Sequence, residues 1–312
     1  MIDSEALNRS LKERLDHIFR PGSVAVIGAS NNPERWGWET MHSILRSGFR
    51  GQLYPVHPKE RVVHGLPAYA SVLDIPGEVD LAVFVVNAAQ TVRSMKECAQ
   101  KGVKGGVIIT AGFAEISSEG KKLQDEIVSI AREAGMRFVG PNCLGIWSSA
   151  VRLDCAFHKR PEPGPIAFIS QSGMLGEYLL EIGLAKGYGF SKFISSGNQA
   201  DLNVCDYLEY LATDPDTKTI VLYLESADEG RRLVDVARKV TAEKPIVMYK
   251  AGHTLAGARA AMSHTASLAG DHRLFEAACR QAGILLVPEI LEAFDIAEAL
   301  AHQPLPRGAA WP

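Results

Sequence analysis

Residues 81–86 read LAVFVV, six apolar side chains in succession with no position to turn toward water. A strand with one solvated face alternates apolar and polar residues, and this one does not. Six residues are also too few for a buried helix. The run therefore predicts a central strand of a parallel sheet, covered by helices on both faces. Working outward, VAVIG (24–28) and QLYPV (52–56) precede it, and GVIIT (106–110) and RFVG (137–140) follow. Between the last two, Leu123, Ile127, Ile130 and Ala134 repeat at helical spacing, and Leu7, Leu11, Leu15 and Ile18 do the same ahead of the first strand. Strands alternating with helices imply a doubly wound α/β sheet.

A proline-rich stretch, RPEPGP (160–165), interrupts the pattern and is the linker candidate. The alternation then restarts with IAFIS (166–170), SKFIS (191–195), TIVLYLE (219–225), PIVMYK (245–250) and ILLVP (284–288). The expected architecture is two tandem doubly wound units of five parallel strands each. The boundaries this implies are an N-terminal helix over 1–20, a first domain over 21–159, a second over 165–302 and a proline-rich tail over 303–312.

Composition narrows the functional classes. The 312 residues are 46% hydrophobic and 22% charged, with a net charge of -3, so there is no electrostatic footprint for nucleic acid. No stretch reaches the roughly 18 uninterrupted apolar residues of a membrane span, and the charged N-terminus is no signal peptide. The five cysteines are odd in number and show no CxxC or Cys/His zinc spacing. They fit reduced thiols of a cytoplasmic protein without a bound metal.

In a wound sheet, ligands gather where strands end and helices begin, because backbone N–H groups and helix dipoles converge there. The first such turn is GASNNPERWG (28–37), in which Ser30, Asn31 and Asn32 could donate to a phosphate. Any tight turn favours the same residues, and this one lacks the GxGxxG dinucleotide fingerprint. The second strand ends in PVHPK with Lys59 at the rim, the third in Asn87, the fourth in TAGFAE (110–115) and the fifth in GPNCLG (140–145) with Asn142. Recurring small and polar rims outline an extended, nucleotide-like ligand.

The second domain opens with a strand running into SQSGMLGEYLLE (170–181), and a second rim segment, SSGNQADLN (195–203), adds Gly197, Asn198 and Asp201. Ser170, Ser172 and Gly173 at a helix N-terminus make a phosphate cradle, although an ordinary helix cap would look the same. Glu225 ends an apolar strand at the same edge, where a carboxylate can orient an imidazole or simply be solvated. The imidazole is His264, in MSHTASLAG (262–270), set among small and hydroxyl residues on a loop from which it could act as a nucleophile. His253 and His272 lack that SHT context.

Taken together, VAVIGAS, YPVHPK, GVIITAGFAE, GPNCLGI, ISQSG, SSGNQADLNVCDYLEYLATDP and SHTASLAG resemble the NDP-forming acyl-CoA synthetases, the superfamily of succinyl-CoA synthetase. The resemblance runs from about Pro21 to Leu305, in order. It implies a Rossmann-like CoA-binding domain followed by a flavodoxin-like ligase domain. It further implies that coenzyme A lies near Gly28, Ala29, Ser30, Lys59, Asn87 and Asn142, that His264 is transiently phosphorylated, that Glu225 positions it, and that the Ser172–Gly173 helix start holds phosphate. Where relatives carry a lysine after the turn's proline, this sequence has Glu34, Arg35 and Trp36, and Arg35 can replace that charge. The implied reaction is acyl-CoA + NDP + phosphate ⇌ acid + CoA + NTP. Nucleotide and Mg2+ would then sit on an ATP-grasp domain, which no stretch of this chain could form. Relatives continue past QPLP into further domains, so a partner subunit or missing C-terminal domains, and an oligomer, are expected. Two other readings stand beside this one: a non-catalytic CoA-sensing module, and an NAD-dependent oxidoreductase. The retained His264 speaks against the first; the GAS turn and the lack of an acidic residue ending the second strand speak against the other. The acyl group and the choice between ATP and GTP are not encoded in any residue named above.

Overall fold

The computed structural model describes residues 4–155, 159–226, 229–252 and 272–304. Helix α1 (Ser4–Phe19) leads into the first sheet, made of β1 (Ser23–Ile27), β2 (Gln52–Val56), β5 (Leu81–Phe84), β6 (Gly105–Ile108) and β7 (Arg137–Val139). A small hairpin, β3 (Val62–Val63) and β4 (Leu66–Pro67), stands outside it. Helices α2 (Trp36–Ser47), α3 (Ala88–Lys101) and α4 (Ser118–Glu133) cover the faces. All five strands are parallel, in the spatial order β2-β1-β5-β6-β7. Leu81–Phe84 is buried along its whole length on both faces, as its unbroken apolarity requires. Val85 still donates to the Ile27 carbonyl at 3.0 Å, but with Val86 it lies past the last strand residue and lines the cavity at the sheet's edge, so the strand is shorter than the apolar run.

The second sheet contains β10 (Ile166–Ser170), β11 (Phe190–Ser195), β12 (Thr219–Leu224), β13 (Ile246–Lys250) and β14 (Leu285–Leu286), all parallel. Helices α5 (Gly173–Ala185), α6 (Val204–Thr213) and α7 (Gly230–Thr241), with His272–Gln281 and Ile290–His302, flank it. Two further strands correct the expected count of five. β8 (Ile146–Ser148) pairs antiparallel with β11, and β9 (Leu153–Asp154) pairs with β8, giving seven strands. The chain thus joins the second sheet at Ile146, ahead of the proline-rich 160–165 stretch. Trp147 anchors the addition: its ring is fully buried and its indole N–H donates to the Phe190 carbonyl at 2.9 Å.

Both sheets reverse winding direction at an interior point, the first between β1 and β5, the second between β10 and β12. Helices leave on opposite faces there, and a crevice opens at the carboxyl ends of the strands. Polar ties fix the second unit against the first. Arg20, just past α1, pairs with Asp214 at 2.9 Å, while Tyr210 donates to Asp16 at 2.8 Å. Asp214 also meets the fully buried ammonium of Lys192 at 2.9 Å. Burial alone would raise the Asp214 pKa, but Lys192, Thr217 and Arg20 hold it below the usual carboxylate range.

At the β1–α2 turn, Gly28 adopts a left-handed φ of 97°, and Gly37 sits so close that a Cβ would lie 1.9 Å from the Gly28 carbonyl oxygen. The helix can approach the strand end only without a side chain. The neighbour is backbone and cannot swing away, so Gly37→Ala is expected to cost roughly 3 kcal/mol. Urea unfolding checks this: the midpoint should fall while the slope stays constant.

Candidate functional site

Both crevices open into one cavity of about 970 Å³. The first domain contributes Val85, Val86 and Asn87 after β5, Thr110 and Ala111 after β6, Glu115, and Asn142–Leu144 after β7. The second contributes Gln171–Met174 at the start of α5, Gly197–Gln199 after β11, and Glu225 with Ser226 after β12. Of the residues singled out from sequence, the cavity gathers Asn87, Asn142, Ser172, Gly173 and Glu225. Gly28, Ala29, Ser30, Arg35 and Lys59 are not among its walls, although Trp36, next to Arg35, is. They occupy the β1 and β2 ends of the same sheet edge, with Arg35 and Lys59 exposed and Ala29 buried.

Hydrogen bonds shape the first turn. Ser30 Oγ accepts from the Asn32 amide at 3.0 Å, and Asn32 Oδ1 accepts from Glu34 N at 2.9 Å. Asn31 donates to the Val62 carbonyl at 2.9 Å and accepts from His64 N at 3.0 Å, which seats the β3–β4 hairpin. The Asn31 amide is thus spent on the hairpin, whereas Ser30 and Asn32 take part in these bonds only as acceptors.

At the second turn, Ser172 caps α5 by accepting from Leu175 N at 3.4 Å. The helix N-terminus thereby faces the cavity, with its unpaired N–H groups and about half a positive charge. Ser170 is different. It is fully buried and its hydroxyl donates to the Ser172 carbonyl at 2.6 Å, so it braces the turn and leaves anion contact to Ser172 and Gly173. His264 lies outside the described residues.

Asn198, a rim residue of SSGNQADLN (195–203), and two residues that sequence reasoning passed over, Gln171 and Lys250, hold the site together. Asn198, in a turn made by Gly197 at a left-handed φ of 56°, donates to Glu115 at 2.5 Å and to Gln124 at 3.0 Å. Its carboxamide oxygen accepts from Asn142 at 3.2 Å, so one side chain clasps three groups of the first domain. Gln171 binds the backbone of Glu225 and Ser226, and Lys250 donates to the Glu225 carbonyl at 2.7 Å. The only sequence signal for them was position: each stands at or beside the end of a strand. Burial would raise the Glu115 pKa, but donors from Asn198, Gly112 and Phe113 outweigh it and hold the carboxyl below its ordinary value. Cys143, on the cavity wall, donates its thiol to the Ile108 carbonyl at 3.2 Å, and burial pushes it up to about 12.

With the geometry in view, comparison with known proteins is decisive. Residues 22–148 match the CoA binding domain and residues 163–300 the succinyl-CoA ligase like flavodoxin domain. The chain is 48% identical over 294 residues to the alpha subunit of ADP-forming acetate–CoA ligase II of Pyrococcus furiosus, covering 94% of this chain and 64% of that one. The chain belongs to the NDP-forming acyl-CoA synthetases. Other members include the 4-hydroxybutyrate–CoA ligase of Nitrosopumilus maritimus, 40% identical, with 93% of this chain and 42% of that protein aligned. Among solved structures, the dinucleotide forming acetyl-coenzyme A synthetase 1 of Ca. Korarchaeum cryptofilum, in complex with phosphate and ADP, superposes with a TM-score of 0.90. That match is 40% identical and covers 94% of this chain and 64% of that one. The chain spans 64% of the length of that Pyrococcus furiosus relative. Among the described residues, no helix is long and apolar enough to cross a membrane, and no three or more His, Cys, Asp or Glu side chains cluster as metal ligands would.

The Asn198 clasp carries a pH signature. Glu115's folded pKa is depressed, so its contribution to stability is present above the unfolded value, about 4.3, and is lost as pH falls through the folded pKa. Asn198→Asp removes the donors and opposes a second carboxylate to Glu115. The melting temperature at pH 7 should drop by roughly 2–10 °C, as 1–3 kcal/mol would produce. Thermal scans across pH should show the deficit shrinking below about pH 4, where the carboxylates protonate.

Proposed function

We propose that this chain is the CoA-binding, phosphohistidine-carrying part of an NDP-forming acyl-CoA synthetase, an acid–thiol ligase. The observation that carries the reading is the single cavity where the edge of the CoA-binding sheet faces the N-terminus of α5 and Glu225. Coenzyme A would lie along the ends of β1, β2 and β5, near Gly28, Ala29, Ser30, Arg35, Lys59 and Asn87. Its acyl thioester would reach the far wall by way of Asn142.

An oxygen of inorganic phosphate attacks the thioester carbonyl carbon. The C–S bond breaks, the thiolate leaves as CoA and takes up a proton, and an acyl phosphate remains. A ring nitrogen of His264 then attacks phosphorus, the bond to the acyl oxygen breaks, and the carboxylic acid departs as its anion. Glu225 accepts the other ring N–H, fixing the tautomer and balancing the charge that develops on the ring. Negative charge grows on phosphoryl oxygens in both steps, and the amides of α5 at Ser172–Gly173 are fixed donors that need no reorganisation. A nucleoside diphosphate would finally take the phosphoryl group at an ATP-grasp domain holding Mg2+, on a partner subunit or on C-terminal domains. The "subunit alpha" relatives and the greater length of the relatives support such a partner. A cytoplasmic, oligomeric enzyme is the natural setting.

Incubation with acetyl-CoA and radiolabelled phosphate tests the chemistry. An acid-labile label should appear on the chain and be absent from His264→Ala; label that persists in that variant would sink the assignment. Ligand-dependent melting separates this reading from an oxidoreductase. CoA at a hundred times its Kd should stabilise the fold by about 2.7 kcal/mol, while NAD should leave the melting temperature unchanged.

A further inference from the structure

We infer that Gln171 and Lys250 are positioning residues that hold the backbone of Glu225 from opposite sides and so aim its carboxylate; the inference rests on the role proposed above for Glu225. The ladder of β12 gives out at this point. Its last partners are Tyr223 opposite Ser170 and Leu224 opposite Lys250. Glu225 is the next residue, where a strand end would ordinarily turn to water. Two side chains instead take over the backbone bonds. On the β10 side, the Gln171 carboxamide oxygen accepts from the amides of Glu225 and Ser226, the latter at 2.9 Å, and its amino group donates to the Ser226 carbonyl at 3.1 Å. On the β13 side, the Lys250 ammonium donates to the Glu225 carbonyl at 2.7 Å and to the Ala251 carbonyl at 2.8 Å. The backbone N–H and C=O of Glu225 are therefore both held by neighbouring strands, and the Tyr223 hydroxyl reaches its carboxylate at 3.5 Å.

The chemistry of these bonds says why they are costly enough to need a use. A partly buried ammonium forfeits hydration, and burial does lower the Lys250 pKa, with the Glu225 charge pulling it back up. A short apolar side chain would seal the same strand end without that cost. What the cation adds is direction. It fixes the carbonyl of Glu225, and with the amide fixed by Gln171 the peptide planes on both sides of the Cα are set, which sets where the side chain leaves the backbone. Gln171 and Glu225 line the cavity, while Lys250 is not among its walls. Lys250 thus acts through Glu225 and not on the substrate.

The test uses the full chain and its Gln171→Met, Lys250→Met and Lys250→Arg variants. Single-turnover labelling from acetyl-CoA and phosphate should slow by about tenfold or more in both Met variants, as loss of an outer-shell partner does. The acetyl-CoA concentration for half-maximal rate should stay within about twofold, because the CoA edge is untouched, and Lys250→Arg should recover most of the rate. Hydrogen exchange at the Glu225 and Ser226 amides reads the clamp without reference to chemistry. It should accelerate about tenfold in Gln171→Met while Leu222, inside the ladder, keeps its protection. Unchanged labelling in both Met variants, or equal impairment of Met and Arg variants at position 250, overturns the positioning role. If the unsubstituted chain takes no label, the proposed function falls by itself. Unaltered exchange at Glu225 and Ser226 then overturns the clamp separately.

Discussion

The crossing from the first sheet to the second is the constraint on which the site depends. Residues 140–145 leave β7 and are met, almost residue for residue, by the loop that follows β11. Asn198 N donates to the Pro141 carbonyl at 2.9 Å and Ala200 N to the Gly140 carbonyl at 3.1 Å. Ser195 N donates to the Gly145 carbonyl at 3.1 Å, and the Ser195 hydroxyl accepts from Leu144 N at 2.9 Å. A Cβ on Gly197 would lie 2.3 Å from the Pro141 oxygen, so the two backbones touch. Each sheet alone has a crevice at its switch point. This lacing, continued by β8 in the second sheet, turns the two crevices toward each other.

Electrostatic economy follows from the same arrangement. Two charges inside or beside the cavity bind backbone groups: Glu115 the amides of Gly112 and Phe113, Lys250 carbonyls at the ends of β12 and β13. The α5 N-terminus is left to attract an anion through its dipole, which needs no ion pair to be broken first. Preorganised dipoles of this kind lose little when a phosphoryl group arrives.

The wound architecture was legible because its signals are local. LAVFVV, IAFIS and TIVLYLE state their burial in their composition, and the ends of those strands mark the ligand edge. β8 and β9 were not legible, since strands of two or three residues inside a turn-rich stretch carry no periodicity. Composition does not separate the polar turn residues by use: Asn31 and Ser170 spend their donors on neighbouring backbone carbonyls, whereas Ser30 and Asn32 serve their turn as acceptors. Gln171 and Lys250 were invisible, and Asn198 was legible as a rim residue but not as a clasp. Asn198 and Gln171 reach groups 54 to 83 positions away, and Lys250 reaches 25 positions back to Glu225. A single sequence gives no sign of which strand ends will stand side by side.

Cys143 carries a consequence of its own. A wall of a cavity suited to thioesters holds a second sulfur, and an ordinary cysteine there could steal an acyl group by thiol exchange. Buried, donating to Ile108 and pushed up to about 12, this thiol exists as thiolate in only about one molecule in 10⁵ at neutral pH. Under the proposed function, a cysteine packed this way would leave the acyl group with coenzyme A.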